Sequence, residues 1–101
     1  MRRIIVAAGV VALGMVGLVG TAVAADTNAV ITHSTTSYSS PSQVSAPVHH
    51  LEQGTPVLAQ CFTEGQQVRG TSTWFRITQN DERGYVHRDV ISGDFAGLRH
   101  C

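Results

Sequence analysis

The N-terminal segment constrains this chain most, because it has the layout of a secretory signal peptide. Arg2 and Arg3 give a basic start, and apolar residues broken only by glycine follow from 4 to 19. Residues 22–24, Ala-Val-Ala, have the small-x-small pattern that signal peptidase cleaves. A membrane-spanning helix needs about 20 apolar residues, and this run is shorter. We therefore expect 1–24 to be a cleaved signal peptide, with a retained membrane anchor as the alternative.

Removal of this segment leaves 77 of the 101 residues, with five Arg, no Lys and seven Asp or Glu. The net charge of −2, with His neutral, and the absence of any basic run argue against nucleic-acid binding. A chain this short buries only a thin core and has little stability without a cross-link.

Cys61 and Cys101 are the two cysteines of the chain. Export permits disulfides, so we expect these cysteines to pair within the chain. Closing a loop of about 40 residues restricts the unfolded chain by about 4 kcal/mol on the entropy model. Because Cys101 is the last residue, the bridge would also hold residues 93–101. Two free thiols or an intermolecular bridge are the alternatives.

The remaining sequence predicts short strands rather than helices. Residues 25–45 are rich in Ser and Thr, which is typical of an extended loop, a linker or a glycosylated stalk, although 29–31 could form a strand. Alternating apolar residues and turn signals then predict short strands joined by turns. The strands are expected at 55–62, 71–78 and 85–87 and the turns at 64–67 and 80–84. Residues 89–91 are expected to form a one-turn 3₁₀ connection or a last short strand.

The alternation also predicts which side chains are buried. Phe75, Ile77 and Val86 are expected to fill the core together with one face of 57–61. Trp74 and Tyr85 are expected to be cross-strand neighbours on one face of the sheet.

Three motifs give this chain a resemblance to a known family. They are LEQGTPV at 51–57, WFRI at 74–77 and GYVH at 84–87. In this order and spacing they resemble the bacterial SH3-like (SH3b) domain. The order Cys61, Gly65, Val68, Gly70 and Trp74, together with the C-terminal Cys, resembles the short secreted form found in high-GC Gram-positive bacteria. SSPS at 39–42 resembles the first long loop of the family, but TTSY at 35–38 replaces the usual Asn-Val-Arg.

The resemblance implies an all-β fold, a small SH3-like barrel of about five to six short strands over 30–92. Such a barrel has room for side chains but not for a ligand, so binding is expected on the outside. Tyr38, Trp74 and Tyr85 are the candidates for a ligand-binding groove, because Tyr and Trp offer flat apolar area with a polar tip. The alternative is that Trp74 and Tyr85 are packing residues.

The expected partner is cell-wall peptidoglycan or a peptide at the cell envelope, bound without catalysis and without a cofactor. The alternative is an extracellular interaction partner or inhibitor of another secreted protein.

The histidines and cysteines suggest two other kinds of site, a zinc site and a catalytic cysteine. A zinc site would draw on the histidines and on Glu52 or Asp89, but His49 and His50 are adjacent and point to opposite faces of a strand. The spacing of paired metal ligands is also absent from the sequence. A cysteine hydrolase would need Cys61 as a thiolate beside His87, whereas export favours the disulfide. The histidine ligands of the zinc site would be His49, His50, His87 and His100.

The N-terminal prediction can be checked by mass. When the full-length coding sequence is expressed in a secreting bacterial host, we expect a secreted product that begins at Ala25. Intact-mass and N-terminal sequencing measurements identify this end. A secreted product that retains the segment 4–19 would contradict the signal-peptide interpretation.

Overall fold

The structure, a computed structural model, describes residues 26–101, so the predicted signal peptide at 1–24 lies outside the described residues. Within these described residues the all-β prediction is confirmed, with seven strands where five to six were expected. Within residues 26–101 there is no helix of the length and hydropathy that crossing a membrane requires. The strands are β1 Thr27–Ile31, β2 Thr35–Tyr38, β3 Pro47–Leu51, β4 Pro56–Val68, β5 Thr71–Gln79, β6 Glu82–His87 and β7 Ile91–Gly93, with a 3₁₀ turn at Arg88–Val90 before β7.

All seven strands belong to one antiparallel sheet, in the order β3-β2-β6-β5-β4-β1-β7. Leu51 in β3 and Ile91 in β7 come from the two opposite edges of this sheet. Both are buried in the same hydrophobic core. The sheet therefore curves around a single core instead of lying flat.

The core forms from the residues that the alternation predicted. Val57 and Ala59 are buried, while the residues between and before them face solvent. Phe75, Ile77 and Val86 are buried against them. Because side chains of a strand alternate between its faces, β4, β5 and β6 each have one core face and one outer face.

The first hairpin turn lies later in the chain than expected. Arg69 and Gly70 have positive φ values of 48° and 87° and connect β4 to β5. Two-residue hairpin turns use such left-handed conformations at both positions. The turn predicted at 64–67 is wrong, since these residues continue β4 through a register shift between Glu64 and Val68.

The second hairpin turn is also shorter than expected. Asn80 and Asp81 have positive φ values of 53° and 67°, a conformation that Asn and Asp tolerate better than most residues. β6 then begins at Glu82, so Gly84 lies within a strand and not at the end of a loop. A Cβ atom on Gly84 would lie 2.8 Å from the Cβ of Ser37, so this glycine allows β2 and β6 to approach closely.

The disulfide between Cys61 and Cys101 is present, as predicted, and it fixes the C-terminal tail against β4. The Phe62 N–H donates to the Arg99 carbonyl at 3.0 Å. The Cys101 N–H in turn donates to the Phe62 carbonyl at 2.8 Å. The tail thus pairs with β4 through hydrogen bonds as well as through the covalent bond.

This tail completes the hydrophobic core. Leu98 is buried in the core cluster, and Phe95 packs against it. The Phe95 ring stacks on the Phe75 ring with a centroid distance of 4.2 Å. Without the tail, this side of the core would face water.

Removal of the disulfide is expected to lower stability strongly. The Cys61→Ala, Cys101→Ala double variant should lose about 4 kcal/mol of unfolding free energy, because the closed loop spans a sequence separation of 40. Urea unfolding followed by circular dichroism measures this loss. Wild-type protein treated with reductant is the control and should unfold at a similar urea concentration. An unchanged urea midpoint in both samples would contradict the stabilising role of the disulfide.

Candidate functional site

The outer face of the sheet carries a row of side chains that crosses four strands. Tyr38 in β2 pairs with Tyr85 in β6, which pairs with Arg76 in β5. The Arg76 Nε donates to the Gln60 Oε1 of β4 at 3.1 Å. All four residues are half-buried, so their outer surfaces remain in contact with solvent. We call Tyr38, Tyr85, Arg76 and Gln60 the tyrosine row.

Trp74, the third aromatic residue predicted for the groove, is buried and does not reach the surface. Its side chain is wholly buried, at 0% exposure, and its Nε1 donates to the Gln66 carbonyl at 2.8 Å. Its cross-strand partner is His87 and not Tyr85, so the predicted Trp74–Tyr85 pair is wrong. The packing alternative therefore describes Trp74, and a ligand on the surface cannot contact it.

Trp74 nevertheless contacts one member of the tyrosine row. Its ring meets the Tyr38 ring edge-on with centroids 6.2 Å apart. On its other side it meets the His87 ring at 5.3 Å in a similar geometry. Such edge-to-face pairs add about 0.5–1.5 kcal/mol beyond the area they bury. The tryptophan thus fixes the position of Tyr38.

The loop at 39–46 covers Trp74. The Pro41 carbonyl accepts a hydrogen bond from the Gln66 N–H at 3.0 Å, and the Gln43 N–H donates to the Gln66 Oε1 at 2.7 Å. Gly65 makes the contact possible, since a Cβ there would lie 2.3 Å from the Pro41 carbonyl oxygen. This part of the Ser- and Thr-rich segment is therefore packed against β4.

The imidazole of His87 has a hydrogen-bond partner at each ring nitrogen. Nε2 lies 2.9 Å from the Thr71 carbonyl and donates to it, while Nδ1 accepts from the Asp89 N–H at 3.2 Å. Nδ1 also lies 3.7 Å from Oδ2 of the Asp89 carboxylate. The Asp89 carboxylate binds the Arg69 Nε at 3.0 Å.

The other residues that could have formed a metal or catalytic site have separate partners. His49 pairs with Glu82, and His50 pairs with Glu52, at 3.0 and 2.9 Å. Across residues 26–101 no group of three His, Cys, Asp or Glu side chains is placed to hold a metal ion. Cys61 is in the disulfide, so it has no free thiol to act as a nucleophile.

Two surface depressions share no residue with the tyrosine row, and the sequence pattern indicated neither of them. A shallow depression of about 370 Å³ lies where β1, β4 and β5 meet the second hairpin turn. A smaller pocket of about 230 Å³ is lined by three phenylalanines, and we call it the phenylalanine pocket. The shallow depression is lined by Asn28, Pro56, Val57, Leu58, Thr78, Gln79, Asn80 and Asp81, and the phenylalanine pocket by Phe62, Thr73, Phe75, Arg88 and Phe95.

The phenylalanine pocket was missed because the C-terminal tail contributes one of its walls. Residues 93–101 show no strand or helix period, so the sequence pattern does not place Phe95. The predicted disulfide was the available signal, since it brings the tail to β4.

No family model, no curated protein and no solved structure matches this chain. The resemblance to SH3b domains thus rests on the motif residues alone. The ligand class that it implies stays a prediction.

The cover over Trp74 can be tested with two glycine variants. In Gly65→Ala the new Cβ would lie 2.3 Å from the Pro41 carbonyl oxygen and 2.9 Å from Trp74 Cδ1, so the loop, the indole or both must shift and the contact between them opens. We expect a loss of about 1–3 kcal/mol and red-shifted fluorescence from Trp74, the single tryptophan of the chain. Gly97→Ala is the matched control, because a Cβ there meets nothing within 4 Å. Identical spectra for the two variants would contradict this packing.

Proposed function

We propose that this protein is a secreted, non-catalytic binding module that recognises cell-wall peptidoglycan or a peptide at the cell envelope. The observation that carries the proposal is the alignment of Tyr38, Tyr85 and Arg76 in one register across three neighbouring strands. The resemblance to SH3b domains supports the same ligand class.

The chemistry of the row suits an extended ligand with both polar and apolar parts. Tyr38 and Tyr85 offer flat apolar rings with hydroxyl groups at their ends, and Arg76 adds a cation. Neighbouring strands lie about 4.8 Å apart, so the row from Tyr38 to Arg76 extends about 10 Å. An extended peptide covers this distance with about three residues.

The row is also held in place before a ligand arrives. Tyr38 rests against buried Trp74, and Arg76 is oriented by its hydrogen bond to Gln60. Side chains that are already ordered lose less conformational entropy on binding. A rigid sheet surface can therefore bind through a small contact area.

Export and the absence of catalysis belong to the same proposal. The disulfide is consistent with an extracellular protein, because disulfides persist in oxidising compartments. Cys61 has no free thiol, and both ring nitrogens of His87 are hydrogen-bonded. These residues thus lack the arrangement that nucleophilic catalysis requires.

A second candidate function is an extracellular interaction partner or inhibitor of another secreted protein. The edge strand β3 favours it, since four of its five residues are exposed and only one of its sides is paired. Exposed edge strands can accept a further strand from a partner protein. The Pro47 nitrogen at the start of β3 has no hydrogen to donate to such a strand.

The proposed function predicts retention on purified cell walls. Protein expressed from the full-length coding sequence in a secreting host should sediment with purified sacculi. Tyr85→Ala should weaken this binding by roughly tenfold, which corresponds to about 1.4 kcal/mol. Tyr85 is the better choice for substitution, because Tyr38 also supports Trp74.

Val44→Ala is the control for this experiment. It removes an apolar side chain that is 87% exposed and lies outside the tyrosine row. It should bind like the wild type. No sedimentation of the wild type, together with a secreted protein that co-purifies with it, would refute the proposal and favour the second candidate.

A further inference from the structure

The phenylalanine pocket lies on a different face of the molecule from the tyrosine row. Thr73 and Phe75 of β5 line the pocket, whereas Arg76 of the same strand belongs to the row. Side chains of a strand alternate between its faces. A ligand in the pocket therefore does not compete directly with a ligand on the row.

The walls of the pocket are held in place by the packing of the C-terminal tail. The Phe95 ring stacks on Phe75 at 4.2 Å with an interplanar angle of 29°. The Phe62 ring meets the His100 ring edge-on at 5.0 Å. The disulfide at Cys61 anchors this arrangement, so three phenyl rings surround a preformed space of about 230 Å³.

One charged side chain lines this apolar space without an ion pair. Arg88 is exposed, and no carboxylate within residues 26–101 pairs with its guanidinium. The neighbouring Asp89 is already bound by Arg69 at 3.0 Å. The pocket thus combines an apolar interior, the hydroxyl of Thr73 and an unpaired cation.

We propose that the phenylalanine pocket binds the C-terminus of a peptide that ends in an apolar residue. The phenyl rings would enclose the last side chain, and Arg88 would pair with the terminal carboxylate. Arginine suits this role because its planar guanidinium can form two parallel hydrogen bonds to a carboxylate. The volume is below the 300–1,000 Å³ typical of pockets for drug-sized ligands, so it fits a single residue. This site is independent of the proposed function, since it uses none of the residues of the tyrosine row.

The test compares two short peptides that differ only at the carboxyl group. The probes are acetyl-Gly-Gly-Leu as the free acid and the same peptide as the carboxamide, titrated into isotope-labelled protein and followed by NMR. The free acid should shift the amide signals of Thr73 and Arg88 and should bind roughly tenfold more tightly than the carboxamide. N-acetyl-leucine distinguishes a small free carboxylate from a peptide end, since it should bind more weakly than the tripeptide.

Two arginine variants make the test specific. Arg88→Gln should remove the preference for the free acid. Arg83→Gln, which alters another exposed arginine without an ion pair within 26–101, should keep it. Circular dichroism melts of both variants check that they are folded. Equal binding of acid and carboxamide to the wild type, preference retained in Arg88→Gln, or no shifts at all would overturn the proposal. None of these results depends on cell-wall binding, so the two proposals fail separately.

Discussion

The bond between Cys61 and Cys101 is the constraint on which the rest of the molecule depends. It holds a tail with no regular pattern against β4, where the amides of Phe62 and Cys101 complete the pairing. Leu98 then closes the hydrophobic core. A domain of this size buries little apolar surface. Exposing one side of the core would therefore remove a large fraction of the apolar area that the fold buries. The link therefore acts on the folded state as well as on the unfolded chain.

The alternation of side chains along β5 separates two candidate binding surfaces. Phe75 faces the core and the phenylalanine pocket, while Arg76 faces outward into the tyrosine row. Trp74 also points to the outer side, but the loop at 39–46 covers it, and its ring supports Tyr38. The same nine-residue strand thus contributes to two candidate binding surfaces and to the support of one of them.

Much of the fold was predictable from the sequence, because period-two alternation is a local signal. It located Val57 and Ala59 in the core and identified the strand that carries Phe75 and Ile77. The turns were less predictable, because the sequence pattern places Gly65 and Gly84 in turns. In the structure Gly65 permits close packing of loop 39–46 on β4, and Gly84 permits close packing of β2 on β6. The burial of Trp74 was equally hidden, because the loop that covers it lies more than 25 residues earlier in the chain. Sequence reasoning therefore located the central strands, but it missed β2 within the Ser- and Thr-rich segment and the contacts made between distant segments.

Hydrogen exchange at the amides of Phe62 and Cys101 tests the central claim most directly. In the oxidised protein both amides donate to backbone carbonyls, and we expect them to exchange slowly. After reduction of the disulfide under native conditions, both amides should exchange much faster. The amide of Phe75, in the centre of the sheet, should still exchange slowly. Slow exchange at Cys101 in the reduced protein, or fast exchange while the bond is intact, would contradict the account.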